Sequence, residues 1–350
     1  MTTFPPDETA PKMAPNPTGL VDVHAHFVTE RYVAAATAAG HEHPDAMPGW
    51  PQWNTAAHLD LMDSGRIQTS ILSVSSPGTH FGDDRAGRTL SREVNECAAR
   101  LRASHPTRFG HFASLPLPDI DGALHEIEYA LETLNADGFA VETNHHGAYP
   151  GDNRYEPVWA ELDRRRAVVF VHPTSPPNAS AVSLGRPRPM LEFLFDSARA
   201  ASDLVFTGTL LRHPGIQWIF SHGGGVLPLL VDRMELFRSA LPSDDCDPAA
   251  TASVADQLRM LWFDMAGTPF PRQIPALTDL VGAERILYGS DYCWTPREAV
   301  RAQLAGIDSA EATAAGTWRE LTTRNAQRLL RLPMASPTAD RGTRVMRGTS

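Results

Sequence analysis

The chain has 350 residues, a formal net charge of −10, 42% hydrophobic and 21% charged residues. The acidic balance argues against a nucleic-acid surface, and three cysteines, Cys97, Cys246 and Cys293, without Cys-x-x-Cys spacing argue against a disulfide framework. No segment approaches a membrane span, and the start lacks the basic flank and apolar run of a secretory signal, so a cytoplasmic protein is expected.

Residues 1–19, rich in Pro and Thr, read as a disordered tail. Apolar runs ended by turn or polar residues then predict eight strands, at 20–27, 68–76, 109–115, 138–143, 167–172, 217–222, 261–266 and 285–291. Helical patterns follow at 55–65, 85–104, 120–135, 156–166, 190–212, 227–241, 272–281 and 296–332. Asp152 or Asn153 suits a cap for the fourth of these helices, and Pro296 suits a first helical turn. Residues 335–350 mix Arg, Thr, Ser and Gly without periodicity and read as a second disordered tail.

Eight alternations of strand and helix predict an α/β fold, a (β/α)8 TIM barrel over 20–334, which typically needs about 250 residues. The insertion at 28–54, with His41, His43, Trp50 and Trp53, lies after strand one and reads as a lid whose histidines are solvated.

In such a barrel the chemistry gathers at the carboxyl ends of the strands. The polar exceptions fall there: His24 and His26 in Val21-Asp-Val-His24-Ala-His26-Phe27, His172 in Val168-Val-Phe-Val-His172-Pro173, His222 in Ile219-Phe-Ser-His222-Gly-Gly-Gly225, and Asp291 in Ile286-Leu-Tyr-Gly-Ser-Asp291. Side chains at i and i+2 of a strand share a face, so His24 and His26 converge, and neutral imidazole is a ready ligand for zinc and its neighbours. Each residue alone is more often a cap or a hydrogen-bonding group than a ligand, but five arranged this way are not independent accidents. The glycines 223–225 suit close backbone approach to a ligand.

His-x-His on strand one, His on five and six and Asp on eight resemble the amidohydrolase superfamily, over about residues 20–332. The fifth-strand His-Pro, the sixth-strand Ser-His-Gly-Gly-Gly and the eighth-strand Tyr-Gly-Ser-Asp-Tyr are similar to its branch of nonoxidative decarboxylases, which includes the aminocarboxymuconate-semialdehyde, γ-resorcylate and 6-methylsalicylate decarboxylases. The loops around 75–84, 113–118 and 171–177 look most like the 6-methylsalicylate group. Strand four carries no bridging lysine; Gly138-Phe-Ala-Val-Glu142-Thr-Asn144 offers Glu142, which reads equally as a satisfied polar residue, so one metal is expected.

The resemblance implies that His24, His26, His172 and Asp291 hold one divalent cation, Zn²⁺ first and Mn²⁺ second, and that His222 acts beside it as base or proton shuttle. It implies a small aromatic carboxylate of the 2-hydroxybenzoate type as substrate, losing CO2. The proton is delivered either by Asp291 or through a hydroxide activated by His222. The alternative is a hydrolase of an amide or lactone, or a hydratase, on the same scaffold. Arg233 falls where relatives have an arginine reaching the neighbouring subunit's site, which implies a homodimer or a dimer of dimers; it reads equally as a surface partner of Asp232 or Glu235. Phe27, Phe195, Trp294 and His80 are expected as pocket walls and polar tips, or as packing.

Overall fold

The computed structural model describes residues 19–240 and 252–332. Apart from Gly19, the expected tails at 1–19 and 335–350 lie outside the described residues. Eight parallel strands follow one another in order: β1 Leu20–His26, β2 Ile67–Ser73, β3 Phe109–Ser114, β4 Gly138–Glu142, β5 Val168–His172, β6 Gln217–Phe220, β7 Trp262–Asp264 and β8 Ile286–Leu287. Beyond β8 the chain bridges back to β1 at Asp22–Tyr288 and Ala25–Tyr292, which closes the barrel. Asp22 Oδ1 strengthens this seam by accepting the N–H groups of His24 at 3.1 Å and Ser290 at 3.0 Å.

The strands are covered on both faces, so they read as apolar runs rather than as alternation. Val21, Val23, Ile71, Phe112, Val168, Phe170, Ile219 and Leu287 pack as one cluster with Ala326 and Leu329.

The helices are α1 Glu30–Ala38, α2 Thr55–Gly65, α3 Asp84–Ser104, α4 Ile120–Glu132, α5 Glu156–Arg165, α6 Ala179–Val182, α7 Glu192–Phe206, α8 Thr209–Arg212, α9 Val231–Ala240, α10 Val254–Leu258, α11 Ile274–Val281, α12 Arg297–Ser309 and α13 Trp318–Leu330. Side-chain caps start several of them: Asn54 accepts from Ala57 N at 2.8 Å, Asp83 from Ala86 N at 2.7 Å and Asp119 from Gly122 N at 3.0 Å. Thr317 and Glu320 form a capping box on α13. Asp152 caps not α5 itself but the tight turn Asn153–Tyr155 that leads into it. Pro296 stands one residue ahead of α12 rather than in its first turn.

Two long predicted helices are divided. The segment 190–212 breaks at Gly208, whose φ of 69° leaves the helical region, and 296–332 breaks at a turn closed by Thr313 and Gly316. Strands six and eight are shorter than expected: the ladder ends at Phe220 and Leu287, and His222 and Asp291 follow beyond it with φ of 50° and 58°. The insertion contains α1, capped by Thr29, and lies on the catalytic face, where Trp50 packs on Tyr32 and on Trp294. His43 is exposed as expected, whereas His41 is only partly so and its ring lies 5.2 Å from that of Phe81. No helix among the described residues is long and apolar enough to cross a membrane.

The buried His58 and His111 and the half-buried His145, away from the strand ends, make stability pH-dependent. Burial lowers His58 to about 3, His111 to about 4 and His145 to about 3, from an ordinary 6.5. The folded state refuses protons that the unfolded chain accepts, so the contribution of these three groups is complete above about pH 6.5 and falls as the pH drops toward 3–4. Each group adds a slope of about 1.4 kcal/mol per pH unit there. Both ring nitrogens of His111 lack partners, so His111→Leu should remove one proton's share of that slope, read from urea midpoints between about pH 4 and 7.

Candidate metal centre and catalytic cavity

The end of β1 brings the Nε2 atoms of His24 and His26 to 2.9 Å from each other. Asp291, in the loop after β8, sets Oδ1 3.4 Å from both, and His172 ends β5 on the same side. One donor atom from each of these four residues lies within 4.8 Å of the others. Two imidazole lone pairs facing each other this closely repel unless positive charge lies between them, so the donor set fits a cation. His24 Nδ1 is held by Asp264 Oδ2 at 2.8 Å and His26 Nδ1 by the Ser73 carbonyl at 3.2 Å, which fixes both rings with Nε2 inward.

Burial lowers His26 and His172 below the ordinary imidazole range and so keeps them in the neutral, ligating form. Burial also depresses His24, but the Asp264 and Asp291 carboxylates together outweigh it and lift this ring to about 10. Burial alone would raise Asp291; hydrogen bonds with His24 and His26 hold it well below the usual carboxylate range. Two carboxylates acting on one imidazole give the centre a standing preference for positive charge, which a divalent cation satisfies. Glu142 is not one of the four donors.

His222 stands beside the centre and outside the donor group, its ring 5.0 Å from that of His24 and 6.2 Å from that of His172. Burial lowers it, leaving a neutral imidazole. Its N–H donates to Asp264 Oδ1 at 2.9 Å and its carbonyl accepts from Gln273 Nε2 at 2.5 Å, which holds its left-handed backbone. The glycines after it also serve packing. A Cβ on Gly225 would meet the Leu194 carbonyl at 1.9 Å, and one on Gly224 would meet the Phe263 ring at 2.8 Å.

His172, His222 and Asp291 open onto a cavity of about 1130 Å³ whose walls include Met47, Phe193, Leu194, Val226, Phe270 and Trp294. The amidohydrolase family model matches residues 21–332. The chain belongs to the amidohydrolase family. A 6-methylsalicylic acid decarboxylase of Aspergillus aculeatus is 37% identical over 287 residues, 80% of this chain and 86% of that one. The crystal structure of an amidohydrolase II superposes with a TM-score of 0.82 at 31% identity, covering 89% of this chain and 99% of its own. A dihydroxybenzoic acid decarboxylase from Polaromonas sp., with bound manganese and the inhibitor 2-nitroresorcinol, shares the fold at a TM-score of 0.76 and 22% identity, covering 90% and 97%. The chain is a carboxy-lyase of the amidohydrolase superfamily.

Within this amidohydrolase site the expected wall residues separate. Trp294 lines the cavity and donates from Nε1 to Ser75 Oγ at 2.7 Å. Phe195 does not line it: it is 43% exposed on the outer surface of α7, and the wall is made by Phe193, whose ring lies 6.0 Å from that of His172. One helical residue rotates by about 100°, so two positions along α7 reverse the facing. Phe27 also lies off the wall, buried against Trp53. His80 lines a second chamber of about 380 Å³, bonded to Asp84 Oδ1 at 2.9 Å and His146 Nε2 at 3.2 Å. Arg233 is exposed on α9 with its guanidinium 4.8 Å above the Phe237 ring.

Asp264 escaped sequence reasoning. The one polar residue in the apolar run Leu261-Trp-Phe-Asp264-Met-Ala266 carried the same strand-end signal as His172 and Asp291.

Replacing His24, His172 or Asp291 with Ala should empty the centre and abolish turnover, with partial metal occupancy surviving at most in the Asp291 variant, as read by metal analysis after dialysis. His222→Ala should keep its metal and lose roughly 10²–10⁴-fold in kcat. An emptied centre in that variant would make His222 a ligand.

Proposed function

We propose that this carboxy-lyase releases CO2 from a small 2-hydroxybenzoate of the 6-methylsalicylate type. The observation that carries the reading is the joining of a four-donor metal centre, the ionisable pair Asp291 and His222, and a mainly apolar wall in one cavity. A sugar-like substrate would leave Phe193, Leu194, Val226 and Phe270 without use, whereas the methyl-substituted ring of an aromatic carboxylate suits them.

A divalent cation held by His24, His26, His172 and Asp291 supplies Lewis acidity toward the carboxylate and phenol oxygens of the substrate. Three imidazoles and a carboxylate favour zinc, and the manganese of the Polaromonas relative makes that ion the second choice. Phe193 and Trp294 flank the ring. His222, neutral through burial, takes up a proton and shares it with Asp291, which lies near enough for each to shift the other. The proton passes to the ring carbon bearing the carboxylate; the bond between them breaks, its electron pair stays on the ring, and CO2 leaves. The free thiols of Cys97 and Cys293 suit a reducing, cytoplasmic compartment.

The active form in this reading is a dimer, alone or paired into a dimer of dimers. Met190 and Leu229, 64% and 79% exposed, line the cavity, and Leu236 and Phe237 of α9 are exposed as well. Arg233 sits in this apolar surface without an ion pair among the described residues, since Glu235 pairs with Arg238 at 2.9 Å. A guanidinium there suits a carboxylate in the site of a second copy.

CO2 release should be seen by mass spectrometry from one member of a panel of 2-hydroxybenzoates that includes 6-methylsalicylate, and a chelator should stop it. No release from protein holding one equivalent of metal would turn the reading toward lactone hydrolysis or hydration. Mixing inactive Arg233→Ala with inactive His222→Ala protein should restore part of the activity; confirmed mixed dimers with none would return Arg233 to a surface role.

A further inference from the structure

The three imidazoles of the centre are not equally held. Nδ1 of His24 and of His26 is engaged, by Asp264 and by the Ser73 carbonyl. Nδ1 of His172 is buried and makes no hydrogen bond. The carboxylate oxygen facing it, Oε2 of Glu142, lies 3.7 Å away and is likewise buried without a partner. Two complementary groups, a donor and an acceptor, therefore stand just beyond bonding distance with nothing else to bond.

Their juxtaposition comes from the sheet. Glu142 and His172 are opposite one another in the parallel ladder of β4 and β5, just as Ser73 is opposite His26 in that of β1 and β2. Backbone pairing thus fixes the two Cα atoms, and only side-chain torsions remain to be adjusted. Closing 3.7 Å to a charge-assisted bond of about 2.8 Å needs a movement of roughly 1 Å. Glu142 also borders the second chamber of about 380 Å³, which leaves its carboxyl room to turn.

We propose that Glu142 is the positioning residue of His172: its carboxylate accepts Nδ1–H when Nε2 ligates the cation. Each of the three imidazoles then has its own acceptor, two carboxylates and one carbonyl. An acceptor on the distal nitrogen fixes the tautomer and ring plane and raises the basicity of the ligating nitrogen, and losing it typically lowers metal affinity about 10–100-fold. The inference rests on the metal reading of the centre and not on the choice of substrate.

The test compares wild type, Glu142→Ala and Glu142→Gln by metal competition against a chelator, by the visible spectrum of the cobalt-loaded proteins, and by melting of the metal-free forms. Glu142→Ala should bind metal about 10–100-fold more weakly and shift the cobalt bands. Its metal-free form should melt no lower than wild type, because a buried carboxyl without a partner has been removed. Glu142→Gln, whose amide oxygen accepts the same bond, should recover most of the affinity. Wild-type affinity and spectrum in Glu142→Ala would overturn the proposal, as would a wild type that holds two metals and loses one on the substitution. Should Glu142→Ala fail to fold, Glu142→Asp, one methylene too short, should bind metal more weakly than Glu142→Gln; equal binding would overturn it. These readings need no substrate, so decarboxylation can fail in the panel while they hold.

Discussion

The geometry of the centre turns on one buried carboxylate. Asp264, at the end of β7, accepts from the Nδ1 of His24 and from the backbone N–H groups of His222 and Ala266. It thereby ties the His24 ring on β1 to the backbone of His222 after β6. Burial raises its pKa, but the His24 charge and these hydrogen bonds more than offset that and keep it ionised. A carboxylate so committed cannot relax without moving both histidines, so one side chain couples their positions.

Around that anchor the barrel separates stability from chemistry. The cluster of Val21, Val23, Ile71, Phe112, Phe170 and Ile219 closes the middle of the barrel, and His24 packs edge-on against Phe170 at 4.9 Å, so the centre sits directly on the core. His222 and Asp291, which border the cavity, leave the sheet in left-handed backbone. Such conformations disfavour side chains other than glycine and persist only where hydrogen bonds impose them. For Asp291 those bonds are its N–H to the His24 carbonyl at 2.8 Å and its own carbonyl and Oδ2 receiving Thr295 at 2.8 and 2.9 Å.

The insertion after β1 roofs the site. Trp50 leans on Trp294, Trp294 bonds Ser75, and Asp45 bonds Ser175 Oγ at 2.6 Å. Asp45 borders both the catalytic cavity and the second chamber, so this turn forms part of the partition between them. Part of the cavity wall, Met47, Ser75 and Trp294, is therefore carried on loops over a rigid barrel.

The order of the elements and the identities of His24, His26, His172, His222 and Asp291 were legible in the sequence, because strand periodicity and a polar residue at the end of an apolar run are local properties. Strand-end position also implied that these residues meet, since a closed barrel brings all eight carboxyl ends to one rim. Three things were decided only by the tertiary structure. The helix phase that put Phe193 rather than Phe195 on the cavity wall depends on where α7 begins, after an irregular turn. The pairing of His24 with Asp264 joins residues 240 positions apart. The facing of Glu142 and His172 depends on the register of β4 against β5. Local sequence specifies which residues end a strand; only packing specifies the rotation of a helix and the register of a ladder, because both are set by contacts between segments that the chain keeps far apart.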